Sequence, residues 1–192
     1  MSDAAAPAKR SRAALWLIVA LAAAPVAASY LLYYFWPPVR TVNYGELIEP
    51  RPLPDVPLAL ADGLPFLLSQ LKGKWVLVSL DSGQCDAACD RKLLYMRQLR
   101  LTQGKEMERV ERAWLLTDGV APRAGAVESY PGTWVVRGDA ALVKLFPAPG
   151  NASDHIYVID PLGNLMMRFP RDPEPRGMIK DLQRLLRASQ VG

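Results

Sequence analysis

Cys85 and Cys89 are the chain's two cysteines, four residues apart where an apolar run gives way to a helical pattern, and His155 is its one histidine. Thiolate sulfur is both the nucleophile of disulfide exchange and a preferred ligand of Cu(I), so the pair suits either chemistry. Residues four apart share a helical face, which lets two sulfurs converge on one ion, and the same spacing admits a disulfide after local adjustment. A bridge closing so short a loop would stabilise little, which argues against a plain structural staple. Adding the neutral imidazole of His155 gives a soft, low-coordinate site suited to Cu(I), whereas structural zinc would want a fourth ligand. Binding of Cu(II) with an extra ligand stays open. In the redox alternative Cys85, nearer the helix start and the more exposed, attacks a partner disulfide and Cys89 resolves the intermediate. Met96, Met166 and Met167 read as core packing rather than thioether ligands.

The elements around these residues can be read in order. Residues 75–80 form a short apolar, β-rich run, the pattern of a buried central strand. Residues 86–103 place Cys89, Leu93 and Met96 on one helical face, with Gly104 as a C-terminal cap. The pair therefore falls at a strand-to-helix junction, where the helix dipole favours a thiolate; Arg91 and Lys92 push the same way, Asp86 and Asp90 against it. Residues 112–116 and 134–136 read as strands, and Asp139 caps a short helix ended by Pro147. Residues 155–159 and 165–169 make a hairpin across the turn residues 160–164. Pro175 opens a last helix with an apolar stripe of Met178, Ile179, Leu182, Leu185 and Leu186. This order predicts an α/β fold, a thioredoxin-like mixed sheet flanked by helices.

The N-terminus supplies the compartment. Between Arg12 and Arg40 there are 27 positions without a charge. Residues 13–36 are apolar enough for one transmembrane helix, with Trp16 near its start and Tyr30, Tyr33, Tyr34 and Trp36 near its end, as membrane interfaces favour. Lys9, Arg10 and Arg12 keep residues 1–12 as a cytoplasmic tail, so the rest faces outward. A cleaved signal peptide is the competing reading, with Val26 and Ala28 before the cut. Pro25 is a helix interruption that membrane spans tolerate. Residues 37–57 are proline-rich and read as an extended tether, leaving residues 58–192 as the domain. The net charge of +4 comes from scattered basic residues with no aromatic interleaving. That excludes a nucleic-acid site and leaves a solvated surface, with a role in approach to anionic lipid or an acidic partner.

Two segments carry a resemblance: Asp81-Ser82-Gly83-Gln84-Cys85-Asp86-Ala87-Ala88-Cys89, and Ser153-Asp154-His155-Ile156-Tyr157-Val158-Ile159-Asp160-Pro161-Leu162-Gly163. Together with the N-terminal anchor, the chain resembles the Sco (SenC) family of cytochrome c oxidase assembly proteins. The resemblance implies a copper-binding chaperone, single-pass in the inner (cytoplasmic) membrane with its domain in the periplasm. It implies copper on Cys85, Cys89 and His155, delivery to oxidase subunit II or a similar membrane oxidase, and a thiol reductant upstream. The chain would then bind and transfer rather than catalyse. It departs from the family in having Asp90 where proline usually follows the second cysteine, and residues 117–123 where an Asp-Pro-x-x-Asp-Thr-like segment is usual. The alternative is an anchored thiol–disulfide oxidoreductase acting on exported or oxidase-subunit cysteines. Against it stand the absence of Cys-x-x-Cys and of a recognisable cis-proline segment before the hairpin. A redox-inert scaffold is the third reading.

Overall fold

A computed structural model describes residues 12–35 and 43–189. They fall into two units, divided between Val42 and Asn43. In the first, α1 (Arg12–Phe35) is a continuous helix with Pro25 inside it and no buried residue, long and apolar enough to cross a membrane. Its bounds match the expected span within a residue at each end; Trp36 and the basic residues before Arg12 lie outside the described residues.

The second unit is built on one mixed sheet. Its strands are β1 (Glu46–Pro52), β2 (Leu58–Leu60), β3 (Pro65–Phe66), β4 (Trp75–Asp81), β5 (Val110–Leu116), β6 (Trp134–Arg137), β7 (Ile156–Ile159) and β8 (Asn164–Arg168). The helices are α2 (Ala87–Leu101), α3 (Ala126–Ser129), α4 (Ala140–Val143) and α5 (Pro175–Ala188). Across the sheet the order is β1-β8-β7-β4-β5-β6-β2-β3, with β4, β5 and β6 parallel and the remaining pairs antiparallel. This is the thioredoxin-like, helix-flanked architecture the sequence predicts.

All seven residues of β4 are buried, because it lies at the centre of the sheet with apolar layers on both faces. Trp75 and Leu77 join Cys85, Cys89, Leu93, Met96, Met178, Leu182 and Leu186 under α2 and α5. Val76, Val78 and Leu80 join Phe66, Leu142, Phe146 and Tyr157 on the other face. Each fully buried Leu or Met of α5 contributes about 1.5–3 kcal/mol. Met96 and Met167 are fully buried and Met166 packs against the same cluster, so all three are core.

The structure corrects the domain boundary. Glu46–Pro52, expected as part of a tether, pairs antiparallel with β8 as an edge strand. Prolines 50 and 52 are compatible with that place because an edge strand leaves part of its N–H row unpaired. The segment before it is also fastened. Gly45 N–H donates to Asp181 Oδ2 at 2.7 Å, Tyr44 Oη accepts from Glu174 N–H at 2.7 Å, and the Tyr44 ring packs on Phe169. The folded unit thus starts at Asn43, not at residue 58.

A Cβ on Gly177 would run into the Tyr44 ring. Gly177→Ala should lower the domain's stability by about 1–3 kcal/mol by forcing Tyr44 off α5; an unchanged melting temperature would show that this fastening carries no load.

Candidate functional site

The strand-to-helix junction after β4 places the cysteines, and the pair is closed as a disulfide with Cα atoms 5.1 Å apart. Cys85 precedes α2 and adopts φ 44, a left-handed conformation uncommon outside glycine. Cys89 lies in the first turn of α2. Cys85 is the more exposed of the two only marginally, at 3% against 1% for Cys89, and both are buried.

The electrostatic surroundings also differ from those expected. The Asp86 carboxylate caps α2, accepting from Ala88 N–H at 3.0 Å and Cys89 N–H at 2.9 Å, so the helix's first free donors are already occupied. Arg91 pairs with Asp172 and Lys92 with Asp81, which commits both cations counted on to favour a thiolate. The charge nearest Cys85 is negative: its Sγ lies 3.7 Å from Asp90 Oδ1. Asp90 is held in turn by Arg123 Nη2 at 3.1 and 2.8 Å, and its backbone carbonyl accepts from Tyr130 Oη at 3.0 Å.

A loop after β5 packs on the segment that leads into Cys85. Arg123 N–H donates to the Gly83 carbonyl at 2.8 Å, and Gly83 N–H donates to Asp118 Oδ1 at 3.1 Å. The backbone of Val120 and Ala121 lies against Gly83 so closely that a Cβ there would clash. Hydrogen bonds from the Ser82 hydroxyl and the Gly83 N–H hold the Asp118 carboxyl below the ordinary carboxylate range. Residues 118–123 therefore form a cover over the loop that leads into Cys85, latched at its far end by the Arg123–Asp90 pair. Sequence reasoning took this stretch only as a departure from a known pattern; Gly83, two residues before Cys85, was the one local signal that another backbone approaches there.

Beneath α2 lies a buried ion pair that sequence reasoning missed. Lys92 Nζ donates to Asp81 Oδ1 at 2.8 Å and to the Ser153 carbonyl, and the Ser79 hydroxyl donates to Asp81 Oδ2. Burial pushes the Asp81 carboxyl above its usual range, while Lys92 and Ser79 act in the opposite direction. The available signal was Asp81 closing an otherwise apolar strand and Lys92 sharing the face of Cys89, Leu93 and Met96.

His155 lies just before β7 and is buried. Its Nδ1 is 2.8 Å from the Phe169 carbonyl, which can only accept, so Nδ1 carries the proton and Nε2 the lone pair. The ring stands edge-on to Tyr157 at 6.1 Å, and Tyr157 belongs to the apolar layer on the sheet face opposite the cysteines. The structure thus brings Cys85 and Cys89 together and sets His155 between Phe169, which packs in the cysteines' cluster, and Tyr157, which packs on the other face. Among the described residues, no three His, Cys, Asp or Glu side chains are grouped as metal ligands.

Two outcomes are expected. Arg123→Gln should speed reduction of the disulfide by a water-soluble phosphine about fivefold, the scale of an exposed ion pair; equal rates would remove the latch. Lys92→Met should cost about 3–5 kcal/mol at neutral pH because it strands a buried carboxylate. The deficit should shrink as pH falls, since a carboxyl whose folded pKa is raised takes up a proton in the folded state first. A deficit flat with pH, by denaturant titration, would refute this.

No curated protein matches the sequence. Solved structures match in fold. Yeast Sco1 with copper bound is 16% identical with a TM-score of 0.58, over 72% of this chain and 96% of that one. Bradyrhizobium japonicum ScoI with copper bound is 19% identical with a TM-score of 0.54, over 70% and 99%. Apo Sco1 from Thermus thermophilus is 22% identical with a TM-score of 0.57, over 74% and 96%. At such identities the likeness is one of fold. A family model described as the C-terminal domain of transmembrane-like, thioredoxin-like proteins matches residues 75–189, from the start of β4 to just past α5. The chain belongs to that transmembrane-like, thioredoxin-like family.

Proposed function

We propose that this chain is a membrane-anchored copper chaperone whose Cys85–Cys89 pair, once reduced, binds Cu(I) as cargo and passes it to a membrane oxidase under assembly, oxidase subunit II or a protein like it. The observation that carries the reading is the convergence of the two sulfurs at the strand-to-helix junction of this fold. Two of the structural neighbours hold copper, which supports the same chemistry here. The apolar helix α1 supports single-pass anchoring in the cytoplasmic membrane, with the domain on the periplasmic side.

The disulfide must open before any metal binds. A dithiol partner gives two electrons and two protons to the Cys85–Cys89 bond and becomes a disulfide itself. The two thiols then lose their protons as Cu(I) enters, so affinity rises with pH until both have titrated. Two soft thiolates suffice to hold Cu(I) at low coordination number. The hydrogen bond from His155 Nδ1 to the Phe169 carbonyl supports the imidazole as a third ligand, since a ligating histidine commonly donates its other ring N–H to a backbone carbonyl.

A second reading, thiol–disulfide exchange with the same two cysteines, draws on the closed disulfide itself. Anaerobic Cu(I) titration of the full chain in detergent, against a chromogenic chelator, separates the two. Reduced protein should bind one equivalent and oxidised protein none. Cys85→Ser and Cys89→Ser should each weaken binding about a hundredfold or more, and His155→Ala about tenfold or more. Unchanged binding by His155→Ala would remove the imidazole from the site. Failure of the reduced wild type to bind, with disulfide-reductase activity that needs both cysteines, would establish the second reading.

A further inference from the structure

The helix α5 carries a feature that neither the cysteine pair nor the packing explains. Arg176, Lys180, Arg184 and Arg187 follow one another at intervals of four, four and three, and all four are exposed. At about 100° per residue they fall in one stripe, opposite the buried Met178, Leu182 and Leu186, and the stripe runs for about 16 Å. The helix has one carboxylate, Asp181. It is buried and engaged by Gly45 N–H at 2.7 Å and by Arg184 Nη1 at 3.4 Å. The outward face of α5 thus holds cations and no acid.

Helix physics alone does not favour this arrangement. Like charges four apart repel. The dipole rewards cations only near the C-terminus, which suits Arg184 and Arg187 but opposes Arg176 and Lys180 in the first half. A row of charges held against its own repulsion fits an anionic surface that lies along the helix.

The way the chain enters the domain says which surface. Tyr44 packs on Gly177 and accepts from Glu174 N–H, and Gly45 binds Asp181, so the segment arriving from the N-terminal helix is fastened along the first half of α5. In the sequence, seven residues, 36–42, lie between that helix and the fastened segment. The segment's fastenings are to α5, through Glu174 at its start, Gly177 and Asp181.

We propose that the Arg176–Lys180–Arg184–Arg187 stripe binds the anionic phospholipid headgroups of the bilayer that holds the N-terminal helix. The inference rests on the reading of α1 as a membrane anchor. Tethering raises the local concentration of headgroups, so a modest charge attraction is enough to dock the helix. The attraction is electrostatic and falls with added salt.

The test uses the full chain in vesicles of phosphatidylcholine with or without phosphatidylglycerol, labelled with a water-soluble amine-acylating reagent and read by mass spectrometry. Lys180 should label several-fold more slowly in the anionic vesicles, while the exposed Lys105 and Lys144 on other elements label equally in both. High salt should abolish the difference. Arg176→Gln and Arg187→Gln should each reduce the protection about fivefold, the effect of one charge near an anionic surface. Equal labelling of Lys180 in both vesicles, with the protein incorporated, would overturn the stripe's assignment and leave an acidic protein as its partner. Failure of the chain to float with vesicles of either composition would instead overturn the anchor reading.

Discussion

The buried Asp81–Lys92 pair is the contact on which the geometry around the cysteines depends. It joins the end of the central strand to the second turn of α2, and through the Ser153 carbonyl it reaches the segment that leads into β7. Three pieces of chain far apart in sequence are thereby fixed around one ammonium group. An apolar residue at either position would pack acceptably, since buried ion pairs are weak sources of stability in themselves. What the pair supplies is direction: Lys92 has one place to put its charge, and that place sets the rotation of α2 and hence where Cys89 sits beneath the covering loop.

The same commitment of charge governs the disulfide. Three cations of this region are engaged: Lys92 with Asp81, Arg91 with Asp172 and Arg123 with Asp90. Asp86 occupies the amides at the helix start, and Asp90 sits against Cys85. A thiolate at Cys85 would meet a carboxylate and find the Ala88 and Cys89 amides already taken by Asp86. This environment favours the disulfide, or a thiolate neutralised by a bound cation, over a free thiolate. Such a preference suits a site that exchanges between an oxidised, closed state and a metal-loaded one better than a site built to attack substrates.

The central fold was legible because β4, β5, β7, α2 and α5 each pair a clear hydrophobic period with recognisable caps. Asp86, Asp139 and Pro175 mark helix starts where they were expected. What escaped was whatever depends on a partner distant in sequence. Prolines 50 and 52 made β1 read as tether because nothing local tells an edge strand from an extended linker; its pairing with β8 decides that. Gly104 looked like the cap of α2, but Thr102 ends the helix and Gly104 opens a further turn. The cysteines were found by spacing, yet they are buried in the cluster under α2 and α5, and residues 118–123 pack on Gly83 just before them. His155 was grouped with them by chemistry. It lies just before β7, with its Nδ1 on the carbonyl of Phe169, a residue of the cysteines' own cluster.

Access to the disulfide then becomes a question of which contact yields first. The cover is held to Gly83 by backbone hydrogen bonds and to α2 by the Arg123–Asp90 pair, with both of those side chains close to half exposed. A pair that exposed is worth about 1 kcal/mol or less and is screened by salt. Asp81 and Lys92 are both buried and cannot yield without stranding a charge. Opening is therefore expected at the surface end of the site, with the loop swinging away from α2 while the helix and the central strand stay in place. A partner that presents its own acidic group to Arg123 could exchange for Asp90 and lift the cover as it docks. Asp90, through its pairing with Arg123, is the side chain that ties the loop to α2.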